Sequence, residues 1–371
     1  SKVVQYQDIN YQLAQEDDKR AIFDKYCEFL NYFDSSIHIQ LCFYNYSGRI
    51  EDYQVAIKIE EQKDAFNDIR QEYSQMLRNQ LAKGNNGLIK NKYLVFGIEA
   101  NDYRTAKTRL ERIELDIFSH LRGLGAIAQS LNGAERLHVM HDLLNESQHK
   151  FHFDWKRLKE SGLATKDFIA PSGFDFTPTG SFGMGRKQAQ VSYLQILAPE
   201  LSDELLKNFL ILESDLAVTL HIQSIEQTAA IKMIKRKITD LDKMKIEEQK
   251  KAIRSGYDMD ILPSDLVTYG AEAKTLLESL QSRNERLFLV TFLLINIADN
   301  KRKLENDYYQ TAGIAQSANC NLRPLDYQQE RGLAAMLPLG INPVPIERAL
   351  TTSATAIFVP FTTQELFQPA P

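Results

Sequence analysis

The sequence predicts a mixed α/β (α+β) fold of two ferredoxin-like split βαβ units, with a long helical hairpin inserted in the second. Strand and helix patterns alternate from one end of the chain to the other. The second half has the order strand, helix, strand, strand, helix, strand, which is the ferredoxin-like order. The composition, 43% hydrophobic and 25% charged residues among 371, is that of a globular chain.

In the first half, apolar residues recur with helical spacing in some segments and alternate in others. The run GNNG at 84–87 supplies residues that tolerate positive φ, which favours the end of a helix just before it. The predicted elements are helix 17–32, strand 37–44, helix 64–81, strand 93–99, helix 102–121, strand 126–131 and helix 135–144.

The second half contains the longest apolar run, LFLVTFLLINIA at 287–298. A bilayer span needs about 20 residues, so this run predicts a buried strand and a soluble chain. The N-terminus has no apolar core of a signal peptide. The predicted elements are strand 191–197, helix 203–211, strand 216–223, helical insertion 225–282, strand 287–297, helix 301–317, strand 320–326, helix 328–337 and a last strand 356–359.

These elements suggest four regions: an α/β unit 1–165, a hairpin-rich boundary 166–190, a second unit 191–339, and a strand with connector 340–371. At an offset of 195 residues, Tyr93-Leu94-Val95 falls on Phe288-Leu289-Val290, and Glu135-Arg136 falls on Glu330-Arg331. Strand, helix, strand and short helix recur in that register. Two explanations stay open, an internal duplication and convergent packing of one motif.

Charge and cysteine content exclude several classes of protein. The net charge of −5 provides no overall basic field for a polyanion, so a nucleic-acid contact would need a local patch. Cys27, Cys42 and Cys320 are three widely spaced cysteines without a CxxC. A disulfide framework or structural zinc site is therefore disfavoured, and a reducing compartment is indicated.

The sequence contains neither the phosphate-binding pattern GxxxxGK[ST] nor the nucleophile pattern GxSxG. The nearest glycine cluster, Gly180, Gly183 and Gly185, precedes a strand and so lacks the helix N-terminus that a phosphate needs. We interpret it as a hairpin turn. We therefore expect no catalytic residue, no cofactor and no enzymatic activity in this chain.

Four of the seven histidines lie within fifteen residues. Imidazole is a good zinc ligand, and Asp142 and Asp154 could complete a site. The cluster lacks HExxH, however, and part of it lies in the extended stretch KFHFDW. Surface histidines are the preferred interpretation over a metal site at these candidates: His138, His141, His149 and His152.

The insertion predicts a helical hairpin arm with an apolar seam along its first helix. The seam requires a partner, which is either the returning helix 266–280 or another protein chain. Tyr269, Leu276 and Leu277 of the returning helix are candidates to share it. The seam consists of Ile231, Ile234, Ile238 and Leu241.

The same helix is strongly basic, with nine Lys or Arg and four Asp or Glu in 231–254. The preferred interpretation is a solvated helix face; the alternative is a surface for DNA or acidic lipid. The candidate phosphate contacts are Lys235, Arg236, Lys237, Lys250, Lys251 and Arg254.

Several long stretches together resemble one family, the conjugative type IV secretion ATPases of Gram-positive mobile elements. This is the CagE/TrbE/VirB class, to which TraC and TraE are related. The resemblance covers nearly the whole chain. The stretches include QDINYQLAQEDDK at 7–19, YCEFLNYFDSS at 26–36, AKGNNGLIKNKYLVFGIEA at 82–100, NGAERLHVMHDLL at 132–144, SYLQILAPELSD at 192–203, the arm and its flanks at 220–266, and LTTSATAIFVPFTTQELFQ at 350–368.

The resemblance implies that this chain is similar to the family's N-terminal region, which precedes a RecA-like motor domain. That region is expected to dock the motor on inner-membrane components of the secretion complex, at the cytoplasmic face of the membrane, and to self-associate. ATP and Mg²⁺ are expected only in the motor, and no catalytic residue of the family maps onto these positions. We expect the arm and the segment 351–361 to be contact surfaces, the latter for the chain's own motor domain. The alternative function is nucleic-acid binding through the basic arm during DNA transfer.

Overall fold

The computed structural model describes residues 1–9, 11, 14–47, 67–72, 75–76, 88–145, 150–197, 201–255, 264–282 and 284–361. Within these residues the protein is an α+β structure around one large antiparallel sheet, which confirms the predicted class. The strands are β1 (Lys2–Tyr6), β2 (Ile37–Ser47), β3 (Leu88–Ile98), β4 (Ala128–Ser130), β5 (Phe174–Asp175), β6 (Phe182–Met184), β7 (Lys187–Ile196), β8 (Asp215–Ser224), β9 (Leu287–Ala298), β10 (Cys320–Pro324) and β11 (Arg348–Thr351).

The helices lie on both faces of this sheet. Those that the structure describes are α1 (Glu16–Tyr32), α2 (Tyr103–Leu124), α3 (Gly133–Leu144), α4 (Trp155–Ser161), α5 (Lys166–Ile169), α6 (Glu204–Leu210), α7 (Gln227–Arg254), α8 (Ser264–Ser282), α9 (Lys301–Ser317), α10 (Gln329–Met336) and α11 (Thr352–Ala356). Residues 67–72 and 75–76 of the predicted helix 64–81 are also helical, and the rest of that prediction lies outside the described residues.

The strands follow the spatial order β4-β1-β3-β2-β8-β9-β7-β6-β5, with β10 paired to β7 and β11 paired to β9. Every pairing is antiparallel. The two halves of the chain meet where β2 pairs with β8, from His38 opposite Gln223 to Asn45 opposite Leu216. One sheet therefore continues through both halves.

Alternation along the strands divides the interior into two cores. In β2, Ile39, Leu41 and Phe43 join the core under α1, α2, α6 and α9. Cys42 and Tyr44, on the other face, join the core under α3, α10 and the β5–β6 hairpin. Burial raises the pKa of the Cys42 thiol to about 12, which keeps it protonated as a small apolar group.

Side-chain caps fix the starts of the longer helices. Asp102 accepts from the Thr105 amide at 2.8 Å before α2, and Asn300 accepts from the Lys303 amide at 2.9 Å before α9. Gly125 ends α2 with φ of 91°, a left-handed conformation that favours glycine. These caps explain why both helices begin where the sequence predicts.

The glycine cluster at 180–185 lies in hairpins, as predicted. Strands β5, β6 and β7 pair in succession, and Gly185, with φ of 62°, occupies the turn between β6 and β7. No helix follows this turn, since β7 continues directly into the sheet. The turn therefore does not have the strand-to-helix form of a phosphate-binding loop.

Several elements differ from the sequence prediction. Strands β1 and β11 and helices α4 and α5 were not predicted. The predicted last strand 356–359 is wrong: residues 352–356 form helix α11, and the strand β11 precedes it. The Thr351 hydroxyl caps α11 by accepting from the Ala354 amide at 3.3 Å, and residues 357–359 follow this helix without pairing into the sheet.

A segment that we call the strap, residues 335–346, lies on the sheet face at the β2–β8 junction. Gln40 of β2 donates to the carbonyls of Ala335 and Leu337 at 3.1 and 2.8 Å and accepts from the Gly340 amide at 2.8 Å. His221 of β8 contacts the Ala335 carbonyl at 2.9 Å through Nε2. Both halves of the sheet thus bind the same backbone.

Two further side chains complete the attachment of the strap. The Tyr44 hydroxyl donates to the Met336 carbonyl at 2.7 Å. The Arg136 guanidinium, on α3, donates twice to the Pro338 carbonyl, at 2.9 and 2.6 Å. Because these carbonyls are covered from water, each bond satisfies a group whose burial would otherwise cost about 1–3 kcal/mol.

Burial lowers the pKa of His221 from 6.5 to about 4, although its bond to the Ala335 carbonyl opposes the shift. The imidazole is therefore neutral in the folded chain at neutral pH, and its Nε2 carries the proton donated to that carbonyl. Because the unfolded chain binds the proton more readily, protonation favours unfolding between pH 6.5 and pH 4.

We predict that the substitution His221→Gln removes part of the acid sensitivity of the fold. Glutamine can donate to the Ala335 carbonyl but does not titrate. Between pH 7.5 and pH 5 the wild-type free energy of unfolding should fall by about 2 kcal/mol more than that of the variant. Urea denaturation at both pH values measures this difference. Parallel losses in the two proteins would show that His221 does not titrate as its burial implies.

Candidate functional site

Helices α7 and α8 form the predicted hairpin, which we call the arm. Its seam is closed within the chain: Ala230, Ile234 and Leu280 are buried together with Leu287 of β9. The surrounding residues Ile231, Ile238, Leu276 and Leu277 pack against them. Of the two predicted partners for the seam, the structure thus places the returning helix there.

The base of the arm is fixed to the sheet. The Gln227 side chain donates to the Leu280 carbonyl at 2.7 Å, which joins α7 to α8. The Ile225 amide donates to the Leu287 carbonyl at 2.9 Å, which joins the start of the arm to β9. Glu226 caps α7 by accepting from the amides of Thr228 and Ala229. The direction in which the arm leaves the sheet is therefore set by several bonds.

Farther out, the arm exposes apolar side chains. Leu241 is the last buried residue of α7, at 8% exposure. Tyr269, which the sequence suggested for the seam, is 55% exposed. The other half-exposed apolar residues in this part of the arm are Met244, Ile246, Ile253 and Val267.

The basic residues of α7 do not form one cluster. At 3.6 residues per turn, five cations fall within about 40° around the helix axis, opposite the seam. All five are exposed. We call this set the outer stripe: Lys232, Arg236, Lys243, Lys250 and Arg254.

Three of the six predicted phosphate contacts lie on the outer stripe, namely Arg236, Lys250 and Arg254. Lys235 and Lys237 project from the two sides of the helix. Lys251 lies to one side as well and pairs with Glu248 at 2.5 Å, an interaction that raises its pKa. The sequence pattern therefore identified the basic helix but not the face on which its charges align.

Of the histidine candidates that the structure describes, two, His138 and His141, lie beside the same carboxylate. His138 and His141 each lie 3.5 Å from an oxygen of Asp142, and His152 is exposed. Phe151 stacks on His138 with ring centroids 5.0 Å apart and contacts His141 at 5.3 Å. His149 lies outside the described residues, within which no group of three or more His, Cys, Asp or Glu could hold a metal.

The segment 351–361 is not an open contact surface, which corrects the expectation from the sequence. Thr355, Phe358 and Phe361 are each at most 1% exposed. The Phe358 ring contacts Phe292 of β9 at 5.4 Å, and Phe361 meets Tyr6 of β1 edge-on at 6.4 Å. The segment is covered by its own sheet and α1 because its apolar side chains complete the core there.

Next to this segment lies a buried ion pair that the sequence did not reveal. Lys92 of β3 bonds to Asp8 and donates to the Pro360 carbonyl at 2.8 Å. Burial lowers the pKa of Lys92, and the Asp8 carboxylate opposes that effect. A cavity of about 320 Å³ borders the pair, lined also by Tyr6, Asn45 and Gln129. The lysines Lys90 and Lys92, which alternate in β3, were the sequence feature that could have indicated this ion pair.

No protein-family model and no curated protein matches the sequence. In the part of the chain that the structure describes, no helix has both the length and the apolarity to cross a bilayer. The long apolar run forms β9, as predicted, and pairs with β7, β8 and β11.

We predict that Phe358→Ala destabilises the fold strongly, because the ring is 1% exposed and lies against Phe292. Truncating a buried phenylalanine costs about 3–5 kcal/mol. Phe174→Ala is the matched control, since that ring is 43% exposed. Guanidinium denaturation measures both. Equal small effects would contradict the buried position of the segment.

Proposed function

We propose that this chain is the N-terminal docking and oligomerisation region of a conjugative type IV secretion ATPase. Its role is to bind partner proteins at the inner face of the cell membrane. ATP and Mg²⁺ belong to the motor domain that follows this region in the family. The assignment to this family is supported by the resemblance of long stretches of the sequence to it. The arm supports the binding role.

The observation that carries the proposal is the set of half-exposed apolar side chains beyond the closed seam of the arm. Since α8 already covers Ile234 and Leu280, the arm does not need a partner in order to fold. Its outer part nevertheless keeps Met244 and Ile253 about half exposed, at 51% and 55%. Exposed apolar side chains on a projecting element are typical of a surface that a protein partner covers.

The length of α7 suits a contact at a distance from the sheet. Its 28 residues span about 42 Å, and its last buried residue is Leu241. The residues beyond Leu241 make up about 20 Å of this length. Inner-membrane components of the secretion complex, and further copies of the chain, are the partners we propose for this outer part.

We also propose that the two halves are duplicated ferredoxin-like units. Strands β1, β2, β3 and β4 with helices α1, α2 and α3 follow the same order along the chain as β7, β8, β9 and β10 with α6, α9 and α10. The spatial order β4-β1-β3-β2 recurs as β10-β7-β9-β8. The arm then occupies the connection between the two middle strands of the second unit.

We predict that Met244→Asp combined with Ile253→Asp abolishes docking without lowering stability. Both residues are about half exposed, so the new charges remain hydrated in the free chain but would be buried by a partner. Light scattering after size exclusion measures self-association, and pull-down with the inner-membrane components measures docking. Leu115→Asp on α2, at 68% exposure, is the control.

The docking proposal would be rejected if the wild-type chain remained monomeric and retained none of these components. It would equally be rejected if the Leu115→Asp control reduced binding as much as the arm variant. Melting curves of both variants should match that of the wild type, since neither substitution changes a buried residue.

The outer stripe favours a second function, nucleic-acid binding through phosphate contacts. Its five cations lie along about 33 Å of one helix face, with Thr239 between Arg236 and Lys243. Against this, the chain has a net charge of −5, and α8 carries three acidic residues and one lysine. The stripe is therefore a local basic surface on an acidic protein.

For this second function we predict that Lys232→Glu, Arg236→Glu and Lys250→Glu together remove DNA binding. Fluorescence anisotropy with labelled duplex DNA across a salt series is the measurement, because phosphate binding weakens steeply with salt. The matched control reverses three exposed cations of α2, Arg104, Lys107 and Arg112. Negligible binding by the wild type at low salt would eliminate this function.

A further inference from the structure

A cluster of aromatic rings lies at the surface where α3, α4 and α5 meet. The rings of His138 and Phe151 stack at 5.0 Å with 9° between their planes, and Phe151 and Phe153 lie at 6.1 Å with 8° between them. Phe153 in turn meets Trp155 edge-on at 4.8 Å and Phe168 edge-on at 5.0 Å. We call these five residues the aromatic platform.

Trp155 is held in one place and still reaches solvent. It begins α4, whose cap Asp154 accepts from the Lys156 amide at 2.9 Å. A Cβ on Gly133 would lie 3.3 Å from Cζ2 of the indole, a tight contact, so the ring rests close against the first turn of α3. Even so, the side chain is 51% exposed. The indole is thus positioned before any ligand arrives.

Three cations lie on the same short helix as this exposed indole. Lys156, Arg157 and Lys159 follow it on α4, and all three are exposed. Lys159 is four residues after Trp155 and therefore lies on the same face of the helix. The Arg157 guanidinium lies over the Phe168 ring, 5.9 Å from its centroid.

Three neighbouring carboxylates accept hydrogen bonds from backbone amides. Asp154 caps α4, Asp167 accepts from the Ala164 amide at 2.7 Å, and Glu135 accepts from the Asn132 amide at 2.7 Å. Asp142 lies between His138 and His141. Glu160 of α4 is exposed to solvent. These carboxylates keep their negative charge, so Lys156, Arg157 and Lys159 supply a local positive surface beside Trp155 and not a basic field over the whole platform.

We infer that the aromatic platform binds single-stranded nucleic acid, with a base stacked on Trp155 and phosphates near Lys156 and Lys159. A fixed, exposed aromatic face beside cations is the arrangement by which proteins bind single strands without reading their sequence. A duplex keeps its base faces stacked inside, so the platform selects single strands. This inference goes beyond docking and concerns a surface separate from the outer stripe of the arm.

The chain contains one tryptophan, so its tryptophan emission reports on Trp155 alone. Titration with oligo(dT) or oligo(rU) of about 20 nucleotides, at about 50 mM salt, should quench this emission to saturation. A duplex of the same length should quench it far less. Rising salt should weaken the binding of the single strands, with a slope of about 0.7 for each phosphate that is contacted.

Anisotropy with labelled oligo(dT) then compares variants. Trp155→Ala should weaken binding by at least about fivefold, and Trp155→Phe should retain most of it, because stacking needs an aromatic face. Tyr103→Ala is the matched control, since Tyr103 is 81% exposed and precedes the exposed Arg104. It should bind as the wild type does. The triple glutamate variant of the outer stripe should still show quenching of the Trp155 emission by oligo(dT), because that signal reports on the platform and not on the arm.

Three results would overturn the inference. The first is unchanged emission at saturating oligonucleotide, and the second is unchanged binding by Trp155→Ala. The third is equal quenching by poly-glutamate of matched charge, which would indicate an acidic protein segment as the ligand. Because Trp155 is half exposed, the alanine variant should remain folded, and its melting curve separates loss of binding from loss of fold.

Discussion

The pairing of β2 with β8 is the constraint on which the rest of the structure depends. It joins the two halves into one sheet, and its register places Gln40 directly opposite His221. Side chains alternate between the faces of a sheet, so a slip by one residue would turn both to the opposite core. The apolar residues Ile39, Leu41 and Leu220 would then face the strap in their place. The register and the strap therefore specify each other.

The strap shows how buried polar groups can determine a single arrangement. Gln40, at 0% exposure, uses both ends of its amide, donating to two carbonyls and accepting from the Gly340 amide. An apolar residue at that position would leave these backbone groups without partners, at a cost of about 1–3 kcal/mol each. A polar site in which every group is hydrogen-bonded fixes the position of the strap, because another position would leave some of these groups without partners.

Local signals in the sequence were sufficient for much of the fold. Helix α9 was predicted with the bounds that the structure gives, because Asn300 caps it and apolar periodicity continues through it. Strand β9 was recognised from a continuous apolar run. Strand β1 was missed because its evidence is not local: five residues become a strand only by pairing with β3 and β4. The false last strand shows the opposite error: the apolar residues Phe358 and Val359 follow α11 and are buried in the core, but they do not pair into the sheet.

The candidate surfaces also divide into those with a local signal in the sequence and those that depend on contacts between distant segments. Helical spacing identified the seam of the arm. It did not decide whether the returning helix or another protein chain covers the seam, since the pattern of one helix does not show what packs against it. The aromatic platform could not be predicted from the sequence. Phe151, Phe153 and Trp155 alternate as residues on one face of a strand do, and His138 and Phe168 come from other elements. Contacts between separate segments carry no periodic signal.

Burial decides which of these surfaces remain available for binding. The segment 351–361 and the seam of the arm are both apolar, and the structure covers each of them with its own chain. Exposing either would cost the free energy of its buried side chains, about 1.5–3 kcal/mol for each large one. The outer arm and the aromatic platform involve no such cost, since Met244, Ile253 and Trp155 are already about half exposed. Partners are therefore proposed at these exposed surfaces, and the buried segment 351–361 serves to complete the core on its face of the sheet.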